Sequence, residues 1–171
     1  MGALGPSFRN PSRWGRFAIP PDRTDSSMSN TLYERDFYAW ANEQAALLRA
    51  GQLGLADIEN IAEEIESMGR SEKRELISRL SVLLMHLLKW QYQPERRGRS
   101  WQGTIEQQRS HLEDHLADNP SLKSQLAAAI RLAYKDARID AERETDIDRD
   151  TFPIECPFTF DEMMDADFLP D

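Results

Sequence analysis

Cationic and aromatic side chains crowd one stretch of this chain. Lys89, Trp90, Tyr92, Arg96, Arg97, Arg99 and Trp101 surround the single helix-breaking Pro94, and Arg109 follows on the next helix. Guanidinium groups pair with anions in a fixed fork, and rings stack on bases, so this combination suits phosphate or single-stranded nucleic acid. These eight residues are the candidate binding residues. A structural use competes with that role, because the rings can close a core while the arginines bridge some of the 30 acidic side chains. His86 is the one weak candidate for acid–base chemistry near neutral pH. No nucleophile accompanies it, so a boundary histidine bonded to a backbone carbonyl is the plainer expectation, and no catalytic residue is assigned.

Other chemistry is thinner. His111 and His115 lie four apart, a spacing that can chelate a metal. The residues between them, Leu112, Glu113 and Asp114, fit neither the H-E-x-x-H nor the H-x-x-E-H arrangement. No metal is expected, and His111 should face outward beside the buried Leu112. The acidic run Glu63-Glu64-Ile65-Glu66 lacks the Glu-x-x-His partners of di-metal bundles and reads as a solvated face. Gln108 should hydrogen-bond a neighbouring helix, and Cys156 reads as a small buried residue. With no nucleophile elbow and no phosphate-cradling loop, no cofactor is implied.

Composition narrows the function classes. The formal charge of −9 disfavours general binding to nucleic acid, which is driven by cationic neutralisation of phosphates, but leaves a local anion site open. One cysteine cannot form an internal disulfide, which points to a reducing cytoplasm. No apolar run approaches the roughly 20 residues of a membrane span, so no membrane partner is expected.

Elements must now position those residues. Residues 1–27 hold four prolines and no apolar period, the pattern of a disordered tail or a misplaced start ahead of Met28. Thr31 and Glu34 form a capping box, followed by helical spacing from Tyr33 to Leu48 that Gly51 and Gly54 stop. Asp57 caps a second helix expected to bury Ile58, Ile61, Ala62, Ile65 and Met68, with either a break at Gly69 and Ser71 or one long kinked helix. Leu76, Ile77, Leu80, Leu83, Leu84, Leu87 and Leu88 then cover about 160° of a helix, wider than an amphipathic stripe. Helix 72–92 is therefore central, and Pro94 ends it. Further helices follow from Ser100 or Thr104 and from Asn119-Pro120. A third capping box, Thr159 to Glu162, opens a short C-terminal helix with Phe158 and Met163 as its staple. The fold class is all-α: a bundle of about five helices, with residues 28–171 as a single domain.

The chain from about Met28 onward resembles the bacterial family known as domain of unknown function 29. The resemblance rests on Leu32-Tyr33-Glu34 with Asp36-Phe37-Tyr38-Ala39-Trp40, on Glu63 to Ser71, and on His86 to Pro94. It continues through Ser100-Trp101, Thr104-Ile105, Gln108-Arg109, Pro120-Ser121-Leu122 and Phe152 to Pro157. It implies a helical fold and no activity.

Two functions fit these observations. One is a cytoplasmic interaction or regulatory module binding a protein partner or small anion at the aromatic–arginine corner. The alternative is an enzyme acting on nucleic acid or another phosphate-containing substrate, with Arg96, Arg97 and Arg109 stabilising charge and His86 carrying a proton. The wide apolar arc also leaves room for a homodimer.

Overall fold

The computed structural model describes residues 32–171, and every regular element among them is helical. The readings made on residues 1–27 and on Thr31 fall outside the described residues. Among the described residues, no helix is long and apolar enough to cross a membrane. Packing divides the chain into two units, one ending at Ile61 and one running from Ala62 to Asp171.

In the first unit a helical turn at 32–35 leads into α1 (Phe37–Arg49). Asp36 caps it, its side chain accepting the Ala39 N–H at 2.9 Å. The ring of Trp40 is buried edge-on against Tyr33, with centroids 4.8 Å apart. Buried Gln44 accepts the Asp57 N–H at 2.8 Å, so a polar side chain of α1 fixes the start of α2 (Ile58–Tyr92). Gly51 supplies the left-handed conformation (φ +70°) that turns the chain after α1.

Of the two readings at Gly69, the structure has the single long helix: α2 runs unbroken from Ile58 to Tyr92. A mid-helix glycine costs only about 1 kcal/mol relative to alanine, too little to interrupt a helix otherwise well held. The structure also corrects the expected burial of Ile58, Ile65 and Met68, which are 51%, 64% and 68% exposed.

The second unit is built by α2, α3 (Arg99–Asp118) and α4 (Leu126–Thr145). Cross-contacts give their directions. Glu72 meets His115 while Arg79 meets His111, so α2 and α3 are antiparallel. Lys73 meets Gln125 while Lys89 meets Glu144, so α2 and α4 are parallel. The core is the wide arc of α2, with Leu76, Leu80, Leu83, Leu84, Leu87 and Leu88 fully or almost fully covered. Ile105 and Leu112 of α3 and the row Ala129, Ala133, Ala137, Ala141 of α4 face it. Four alanines at helical spacing remove side-chain bulk, which lets α4 approach closely.

Both helix starts after Pro94 differ from expectation. Gly98, not Ser100 or Thr104, precedes the first turn of α3, and Thr104 sits inside the helix with its hydroxyl donating to the Ser100 carbonyl at 3.1 Å. Pro120 opens a 3-10 segment, Pro120–Gln125, before α4 begins. The C-terminal arm fits the sequence reading well. Phe152 is buried edge-on to Tyr92, and Tyr134 donates to the Pro153 carbonyl at 2.9 Å. Thr159 and Glu162 form the reciprocal capping box of α5 (Phe160–Met164), with Phe158 and Met163 both buried.

Candidate functional site

Lys89 lies on the covered side of α2 and is 6% exposed. An ammonium removed from water needs compensating partners, and two meet it. Its Nζ donates to Glu144 Oε2 at 2.6 Å and stands 4.7 Å from the centre of the Trp101 ring. The lysine therefore ties the end of α2 to the last turn of α4 and the first turn of α3. The hydrogen bond from Lys89 lowers the pKa of Glu144, with partial burial opposing.

Its neighbours about one turn away on either side, His86 on α2 and Gln93 just past its end, complete a polar row. His86 Nδ1–H donates to the Val82 carbonyl at 2.9 Å, which leaves Nε2 as an acceptor. Burial lowers the histidine's pKa, the Val82 bond opposes, Lys89 adds to the lowering and Glu144 opposes. The ring is therefore neutral at pH 7. On the other side, Gln93 is 6% exposed and its amide donates to the Thr145 carbonyl at 3.2 Å, while its Oε1 has no partner among the described residues. His86 thus offers one free lone pair next to an ion pair that is internally neutral. Cys156 stays on the C-terminal arm, its thiol donating to the Phe158 carbonyl, and burial raises its pKa away from thiolate chemistry.

A pH prediction follows from His86. Its folded pKa lies below the unfolded value near 6.5, so the unfolded state takes up the proton first. Stability should be full above about pH 6.5 and fall as pH drops below it. Thermal melts from pH 8 to pH 5 should show this fall in the native chain and a flatter profile in His86→Gln. Identical profiles would mean that the imidazole is not held neutral by burial.

The arginines divide sharply. Arg109 is buried and bonds only backbone: Nε–H donates to Met163 O and Nη2–H to Phe168 O, both at 2.7 Å, with Ala166 O at 3.4 Å from Nη1. Arg97 donates to Trp90 O at 2.8 Å and to Pro170 O at 3.4 Å, its guanidinium 5.6 Å from the Trp90 ring centre. Both groups brace the C-terminal segment. Arg96 and Arg99 are exposed and have no ion pair with any described residue. They flank the start of α3, where Gly98 provides no side-chain cap and the first turn carries no acid. Trp90, Tyr92 and Trp101 are half-buried.

A family model described as Domain of unknown function DUF29 matches residues 32–169. The chain belongs to this family. A search of curated proteins and one of solved structures each returned no match. The family description carries no activity, so the functional argument rests on the placement of side chains within the matched region, which contains all the residues of the corner.

His111 and His115 both turn toward α2. Arg79 Nη1 donates to His111 Nδ1 at 2.6 Å, and His115 Nε2 donates to the Glu72 carbonyl at 3.0 Å. The expectation that His111 faces outward is corrected: it is half-buried by the long Arg79 side chain from the neighbouring helix. Among the described residues, no group of three or more His, Cys, Asp or Glu side chains is arranged to hold a metal ion. Gln108 is half-buried without a hydrogen bond to a described residue, which corrects its expected bridging role. Sequence reasoning missed Glu144 and Gln93. Neither had a signal along its own element, because Lys89 lies about 100° beyond Leu88, the edge of the leucine arc, and only helix docking brings Glu144 to it.

Proposed function

We propose that this DUF29 chain is an interaction module, not an enzyme, that grips an anionic group of a partner protein at the start of α3. The observation that carries this reading is the uncapped N-terminus of α3 flanked by Arg96 and Arg99. The amides of Arg99, Ser100 and Trp101 lack intrahelical partners, and the helix dipole favours negative charge at that end. Two exposed guanidinium groups add forked donors suited to phosphate or carboxylate. The overall charge of −9 supports a local, selective anion site and argues against a polyanion-binding surface. A bacterial cytoplasmic setting fits the family resemblance and the lone Cys156.

The enzyme reading has less support. His86 neighbours Lys89 and Glu144, while two of the three arginines assigned to it, Arg97 and Arg109, donate to backbone carbonyls. A proton carrier and charge stabilisers need to converge on one reacting group.

Trp101 sits in the first turn of α3, so tryptophan fluorescence reports occupancy there. Titrating the full chain with inorganic phosphate and pyrophosphate should give a saturable change. Arg96→Ala and Arg99→Ala should each weaken binding about tenfold, the effect of losing about 1.4 kcal/mol of charged hydrogen bonding. As exposed residues, they should leave stability within about 0.5 kcal/mol. Unchanged affinity in the double variant would overturn the proposal, as would the absence of any saturable change.

A further inference from the structure

The parallel helices α2 and α4 leave a groove of about 460 Å³ between them. Ile77, Ser81 and Val82 of α2 and Ile139 of α4 line it, with Arg74 on one wall and Asp136 on the other. The patch extends along α4: Leu132, Asp136 and Ile139 recur at helical spacing on one face, and Leu132 is 50% exposed. Arg74 and Asp136 are both exposed, and neither has an ion pair with a described residue, whereas Asp140 beside them pairs with Arg143 at 2.9 Å. The two unpaired charges of opposite sign therefore line one groove without satisfying each other.

We propose that this groove is a two-fold interface with a second copy of the chain. A two-fold axis presents the same patch from both sides, so a surface must complement itself to pair this way. This patch does. The α2 wall of one copy brings Arg74 against Asp136 on the α4 wall of the other, and the reverse contact forms at the same time. The projecting Leu132 and Ile139 side chains supply apolar surface for the groove of the partner copy. A wholly acidic or wholly basic partner would leave one wall facing like charge, which costs affinity. This interface is separate from the anion site at α3 and stands independently of it.

Sedimentation equilibrium of the full chain tests the assignment, from about 1 to 200 μM, the range in which a small interface dissociates. A monomer–dimer equilibrium is expected. Arg74→Asp alone and Asp136→Arg alone should each weaken it at least tenfold, since each homodimer then carries two like-charge contacts. Mixing the two variants should restore a heterodimer, because both contacts become attractive again. Ile139→Glu should give a monomer. Circular dichroism melts like those of the native chain show that the variants fold, as expected for exposed positions. A chain that stays monomeric throughout the range overturns the proposal. So does a dimer that ignores the substitutions, or a mixture that fails to recover.

Discussion

Arg109→Ala should destabilise the protein by about 3 kcal/mol, the combined effect of two charge-assisted hydrogen bonds lost and two carbonyls left unpaired. The reason lies in the shortness of α5. The last four carbonyls of any helix have no intrahelical donor, and α5 has only five residues, so nearly all of its carbonyls face that problem. Met163 O and Phe168 O are met by the Arg109 guanidinium, which reaches across from α3 at 2.7 Å to each. The positive charge also lies at the negative end of the short helix. For a chain of this size, a loss of that magnitude lowers the melting midpoint by roughly 6–12 °C. Arg109→Lys should recover only part of it, because an ammonium cannot span two carbonyls as a planar fork does. Urea unfolding of the three proteins gives the comparison. A change within 0.5 kcal/mol for Arg109→Ala would show that the arm is held by Phe152, Phe158 and Met163 alone.

That brace was not legible in the sequence, and the reason is physical. Patterning reports what a residue does along its own element. The box at Thr159 and Glu162, the stop at Pro94 and the wide apolar arc of α2 are all consequences of local geometry, and the structure has each where the residues put it. Arg109 reads the same locally whether its guanidinium meets solvent, a ligand or the carbonyls of an arm more than fifty residues away. Lys89 is similar. It lies outside the leucine arc, on the side read as a binding surface, and its burial against Glu144 of α4 depends on how two helices dock. His111 was misplaced for the opposite reason: its own helix turns it outward from Leu112, and the long side chain of Arg79 on α2 covers it. Of the eight residues marked as a binding surface, Lys89, Arg97 and Arg109 are engaged internally, while Arg96 and Arg99 remain open.

A second large effect separates pattern from burial on one helix. Leu83→Ala should cost about 3–4 kcal/mol, whereas Met68→Ala should change stability by less than about 0.5 kcal/mol. Fifteen residues separate the two positions, which places them within about 60° of each other around α2. By hydrophobic pattern they belong to nearly the same face. Leu83 is fully buried in the core, so truncation removes its transfer energy and leaves a cavity that close-packed neighbours cannot fill. Met68 is 68% exposed, so most of its side chain gains little from folding and leaves no void when shortened. Chemical denaturation of the two single variants measures both terms under one condition. If Met68→Ala instead cost about 2 kcal/mol, the apolar stripe of Ile65 and Met68 would have to be covered in solution. The acidic first half of α2 would then belong to a packed interface and not to a solvated face.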